Sequence, residues 1–171
     1  MRKLLIAASA AIFVTACSND AAPAKPPEAT PTTLQAGKYQ GTWKVASVQS
    51  VDKSTPATKL KQDASGSSEG CVAADGSIEA TLFAEDGDAC TVANPYVRNG
   101  RIGMDLTCRR KSASGEVRQS VSGTFTGDSL DAEVSTTTYL SGYGDYAMQR
   151  TVTAKRVGEC PAVPAKAEET S

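Results

Sequence analysis

The chain contains no histidine. That absence removes Ser-His-Asp and Cys-His catalytic arrangements, histidine metal sites and the commonest general base near neutral pH. Aromatic residues make up only 5% of the 171 residues, so a folded domain needs a brace other than ring burial. Basic charge is not in excess, with 18 Lys+Arg against 19 Asp+Glu, which argues against a nucleic-acid partner. The apolar stretch from Leu4 to Ala16 is too short to span a bilayer as a permanent helix.

What that stretch supplies is an address. Arg2 and Lys3 precede it and Val14-Thr15-Ala16-Cys17 closes it, the pattern of a charged n-region, an apolar h-region and small residues before a cut. The closing tetrapeptide resembles a bacterial lipobox. The resemblance implies that residues 1–16 are a signal peptide, that Cys17 becomes the acylated first residue, and that the protein is tied to a membrane through it. Several acyl chains anchor firmly, since each buried methylene contributes about 0.8 kcal/mol. Ser18, not aspartate, follows the anchor cysteine; by the sorting rule of Gram-negative lipoproteins this implies the outer membrane, facing the periplasm.

Residues 17–36 carry four of the eight prolines and almost no large apolar side chain, so they read as a lipidated cysteine and a tether. Residues 161–171 read as a disordered tail. Between them, 37–160 form one domain, long enough to bury about two-thirds of its unfolded surface. It holds Cys71, Cys90, Cys108 and Cys160, expected to be oxidised in an exported chain. Arg98-Asn99-Gly100 reads as a three-residue hairpin loop. Folding the chain there sets Tyr96 opposite Ile102, Asn94 opposite Met104, Val92 opposite Leu106, and Cys90 opposite Cys108. Cys90–Cys108 is therefore one disulfide, and Cys71–Cys160 follows by exclusion. A tetrathiolate zinc site lacks any close Cys-x-x-Cys pair; no metal or cofactor is expected.

Trp43 to Val51 reads as a first strand and Asp52 to Gly70 as a loop. Ser77 to Glu85, with Ile78, Leu82 and Phe83 at helical spacing, reads as one short helix. Gly127-Asp128 predicts a two-residue turn that sets Phe125 opposite Leu130, Gly123 opposite Ala132 and Val121 opposite Val134. The last strand, Tyr146 to Val157, alternates so that Arg150 points to the apolar side. The fold class is mainly β: a six-stranded antiparallel meander forming a strongly bent sheet or partial barrel, with one short helix.

Gly41-Thr42-Trp43-Lys44-Val45, Cys71, the Cys90/Cys108 bracket, Gly123-Thr124-Phe125-Thr126-Gly127-Asp128 and Lys155-Arg156-Val157-Gly158-Glu159-Cys160 stand in an order that resembles the bacterial envelope family known as domain of unknown function 3617. The resemblance implies export and oxidised cysteines and carries over no activity. Gly41-Thr42-Trp43 is also similar to the opening of lipocalin-like barrels, in which an arginine from a late strand covers the indole; Arg150 or Arg156 would fill that role.

Glu85-Asp86-Gly87-Asp88 has the composition of an exposed acidic turn. Arg109-Arg110-Lys111 with Arg118 reads as a solvated basic patch, available to anionic headgroups. Ser141 to Tyr146 reads as a glycine-framed tyrosine turn. Arg150, a charge on an apolar face, either caps Trp43 or faces a cavity where it would hold a ligand; strand parity gives such a cavity Asn94, Tyr96 and Met104. Without a catalytic constellation the chain is expected to be no enzyme. The reading is a membrane-anchored binding or interaction module for an envelope protein or small ligand. The alternative is a periplasmic carrier or sensor of a small apolar or amphiphilic ligand.

Overall fold

The computed structural model describes residues 33–85, 87–142 and 144–161. The expected signal peptide, Cys17, most of the expected tether and nearly all of the expected tail lie outside the described residues. Seven antiparallel strands form one sheet: β1 Gly37–Ser50, β2 Ser65–Val72, β3 Asp88–Arg98, β4 Arg101–Arg110, β5 Gly115–Phe125, β6 Ser129–Leu140 and β7 Tyr146–Gly158. Their spatial order is β2-β1-β7-β6-β5-β4-β3. The last five strands are the expected meander, and β7 closes it onto β1, so the first and last strands of the domain are neighbours.

The sheet is bent into a half-barrel with its apolar residues inside. Along β6, Leu130, Ala132, Val134, Thr136 and Thr138 are buried while Asp131 and Glu133 are exposed, the period-2 alternation of a sheet wet on one side. The β5–β6 register is as expected from the Gly127-Asp128 turn, with Phe125, Gly123 and Val121 opposite Leu130, Ala132 and Val134. The segment from Ala73 to Glu85 leads from edge strand β2 back over the inner face of the sheet. It places Ile78, Leu82 and Phe83 in the core at 0–5% exposure, each contributing about 1.5–3 kcal/mol by burial.

Two expectations are corrected here. The helix over Ser77–Glu85 is a single 3-10 turn, Ala80–Leu82; its apolar residues are buried as expected, but by an irregular crossing segment tied through Ile78 to Val72. The strand count is seven, because Ser65–Val72, most of it within the expected Asp52–Gly70 loop, is β2. Its glycines are there for their neighbours: a side chain at Gly66 would overlap the Trp43 indole, and one at Gly70 would crowd Leu82. The packed domain also begins before residue 37. Leu34 is 4% exposed in the core, and the Gln35 amide donates to the Gly127 carbonyl at 2.8 Å.

The β3–β4 hairpin differs from its expected form in two places that cancel. Its turn is the two-residue Asn99-Gly100, with φ of 53° and 71°, as a type I′ turn requires. A bulge at Asn94-Pro95, with Asn94 at φ 51°, then restores the register; proline is tolerated there because β3 is an edge strand. Val92 therefore faces Leu106 and Cys90 faces Cys108 as expected, whereas Tyr96 faces Gly103 and lies on the outer surface. The Cys90 and Cys108 Cα atoms are 3.9 Å apart and the disulfide is formed. Cys71–Cys160 is the second bridge. It joins β2 to the chain just past β7 across the start of β1, where Lys38 pairs with both Cys71 and Gly158.

Candidate functional site

Ionisable side chains gather inside the half-barrel. Arg110, at the end of β4, makes a bidentate pair with Asp88 on β3, Nε to Oδ1 at 2.8 Å and Nη2 to Oδ2 at 2.9 Å. Its Nη1 donates to the Ala57 carbonyl at 2.6 Å, and its Nη2 reaches Tyr146 Oη at 3.0 Å and Glu85 Oε2 at 3.1 Å. Glu85 also accepts from Tyr146 Oη at 2.6 Å and from Thr58 Oγ1 at 3.0 Å. Arg150 completes the group from β7. Its Nη2 donates to the Phe83 carbonyl, and Val45 and Val134 lie opposite it on the flanking strands. The two arginines balance the two carboxylates, as burial demands.

The hydrogen bonds that Arg110 donates to Asp88 raise its pKa above its ordinary value; they outweigh desolvation, and the Glu85 charge adds to the rise. Burial, followed by the Glu85 charge, raises the Tyr146 phenol above 10.0. Burial lowers the Arg150 pKa, opposed by Glu85; the guanidinium stays charged. Its Nε is buried without a hydrogen-bond partner. Its Cζ lies 6.0 Å from the Trp43 ring centroid, at the outer limit of a cation–π contact. Arg150 at 2% exposure and Tyr39, Tyr146 and Phe83 at 0% leave no water-sized space against them. They make a filled interior with a buried ion network at its centre.

The residues expected to line a cavity do not converge. Met104 is in the core at 3% exposure. Asn94 sits at the bulge, donating to Asp105 Oδ2 at 3.1 Å. Tyr96 is outside, 38% exposed, because the bulge reverses its parity. Trp43 is half-buried, its indole lying over Gly66 and donating to the Ser67 carbonyl at 3.1 Å. The expected basic patch loses Arg110 to the interior, and Arg118 pairs with Glu116 and lies 5.2 Å from the Tyr139 ring centroid. The acidic turn is corrected too. Glu85 is 7% exposed and the Asp88 side chain is fully buried, as is Tyr146 of the supposed tyrosine turn.

The open site is on the outer face. Ile102, Gly123, Ala132 and Val152 are register partners from β4 to β7, and their backbones floor a trough running across the strands. One bank is Arg101, Thr124, Asp131 and Thr153; the other is Ser122, Glu133 and Thr151, with Tyr96 at the β3 end. The volume is about 780 Å³. Thr153 Oγ1 donates to Asp131 Oδ1 at 2.8 Å, and the Arg98 guanidinium stacks 4.6 Å from the Tyr96 centroid. Sequence reasoning missed this site because it assigned Tyr96 to the inner face. The outer alternation of Ser, Thr, Asp and Glu on β5 to β7 was the available signal.

Fold and site together define a disulfide-braced β half-barrel with an ion network in its interior and, outside, a trough banked by polar side chains. The chain belongs to the family described as a protein of unknown function, DUF3617, which it matches over residues 34–160. No curated protein and no solved structure gives a significant match.

Proposed function

We propose that this protein is a non-enzymatic binding module of the bacterial envelope, anchored through lipidated Cys17 to the outer membrane and facing the periplasm. One observation carries the binding reading: the described interior side chains are packed against one another, whereas the outer face keeps an open trough banked by polar side chains of a size that suits ligand recognition. The ion network supports the non-enzymatic side, because Glu85, Asp88 and Arg110 are engaged with one another rather than presented to solvent. A carrier of an apolar ligand would need an empty interior, and the packing gives that alternative no support.

A photo-crosslinking side chain placed at exposed Ser122 or Thr151 should capture an envelope component in living cells, and one at exposed Gln49, away from the trough, should not. Capture at Gln49 alone, or nowhere, overturns the reading. Globomycin should block processing at Cys17, and fractionation should then find the unprocessed form in the inner membrane. Processing indifferent to globomycin removes the anchor.

A further inference from the structure

We propose that the outer trough binds a linear, β-linked glycan strand. The proposal deepens the binding-module reading above and rests on it. The trough runs perpendicular to the strands, so successive positions along it recur at the strand spacing of about 4.8 Å. A pyranose ring in an extended chain occupies a comparable length, which places one ring over each strand. From Tyr96 to Thr153 the trough crosses five strands, about 20 Å, and its banks stand two residues apart, about 7 Å.

The lining chemistry selects among ligands. Each strand from β5 to β7 offers a pair of hydrogen-bonding side chains astride the floor: Ser122 and Thr124, Asp131 and Glu133, Thr151 and Thr153. Hydroxyls donate and accept, and carboxylates accept from neighbouring sugar hydroxyls with up to four lone-pair sites. Tyr96 supplies an exposed ring at one end, steadied by Arg98, against which the C–H face of a sugar packs. Asp131 and Glu133 offset Arg101 and the Arg98 beside Tyr96, so the trough lacks the net positive charge that a phosphorylated headgroup or nucleic acid requires. A peptide adding to a sheet would take main-chain hydrogen bonds from an exposed edge. Here β4 to β7 are each paired on both sides, so the trough offers side-chain groups alone and suits a ligand with polar groups around its perimeter.

The test is calorimetric titration of the full chain, held in a zwitterionic detergent free of sugar, with chitohexaose and with cellohexaose. Saturable binding of at least one hexasaccharide is expected. Tyr96→Ala, and separately the Asp131→Asn/Glu133→Gln pair, should weaken it at least about tenfold, as loss of an anchoring contact does, with the thermal melt within a few degrees of wild type. Absence of saturable heat with both sugars, or affinity untouched by both variants, overturns the proposal. Saturable binding of pentalysine with neither sugar bound overturns it equally, in favour of a cation site. If the sugars fail while the crosslinker at Ser122 still captures a component, the glycan assignment falls and the module reading stands; failure of both removes both.

Discussion

Arg110 and Asp88 hold each other through two parallel hydrogen bonds inside the half-barrel, although they lie 22 residues apart in the chain. The pair fastens edge strand β3 to β4 beyond the ladder bonds. It also seats Arg110 where it reaches Tyr146 and the Ala57 carbonyl.

Removing one partner strands a buried charge. Arg110→Ala or Asp88→Ala should each cost about 3–5 kcal/mol of unfolding free energy, a large part of a domain's typical 5–15 kcal/mol. The paired replacement Arg110→Met/Asp88→Leu should recover most of the loss. Urea denaturation of the four proteins checks this; a double variant as unstable as the sum of the singles would contradict it.

Tyr146 sets the alkaline limit. Its folded pKa lies above the unfolded 10.0, so its contribution is fully present below pH 10 and is lost as pH rises toward the folded value. Stability measured from pH 9 upward should fall for the wild type, and the fall should be shallower in Tyr146→Phe, which has no phenol to ionise. Equal slopes would show that Tyr146 carries none of the effect.

Asp52 acts at the acid end. One oxygen accepts from the Ser54 amide at 2.9 Å and its hydroxyl at 2.6 Å, and the other from the amides of Gly144 and Asp145 at 2.7 and 3.1 Å. The Ser54 side chain, then these backbone amides, hold the carboxyl far below its ordinary 3.8. A depressed folded pKa contributes stability above pH 3.8 that is lost as pH falls toward the folded value. Asp52→Asn should therefore melt lower than wild type at pH 7, and the gap should narrow as pH falls from about 4 toward 2. A constant gap in Tm across that range would refute the linkage.

Gly66→Ala forces a methyl group into the indole of Trp43. Overpacking of this kind costs about 1–3 kcal/mol. The variant's tryptophan emission should also shift red as the ring is pushed outward, which is readable because Trp43 is the chain's one tryptophan. Unchanged emission would mean that β2 yields instead.

The disulfides differ in loop length, with sequence separations of 18 and 89. In the chain-entropy account, removing Cys90–Cys108 should cost about 3 kcal/mol and removing Cys71–Cys160 between about 4 and 5. Guanidinium unfolding of the two paired Cys→Ser variants orders them; the reverse order would show that local packing outweighs loop closure.

How much of this was legible follows residue by residue. The β5–β6 hairpin was, since Gly127-Asp128 and clean alternation fix both turn and register. Arg150 was placed inside by parity alone and is there at 2% exposure. Strand β2 was not legible, because its sequence, SGSSEGCV, was shaped by the bulk of Trp43 and Leu82 against it rather than by strand propensity. The pairing of Cys90 with Cys108 was read correctly through a loop one residue too long and a bulge not foreseen. The same two offsets put Tyr96 on the wrong face. Nor does local pattern reveal that Glu85 and Asp88, beside glycine, turn inward to meet a distant arginine, since burial of a charge is decided by its partner.

The packing of Leu34 and the bond from Gln35 to Gly127 have a mechanical consequence. Tension arriving from the chain ahead of Leu34 enters the sheet at the head of β1, a strand held by β2 on one flank and β7 on the other, with the Cys71–Cys160 crosslink spanning both flanks at that point. The load then falls on many ladder bonds in shear at once instead of unzipping an edge one bond at a time.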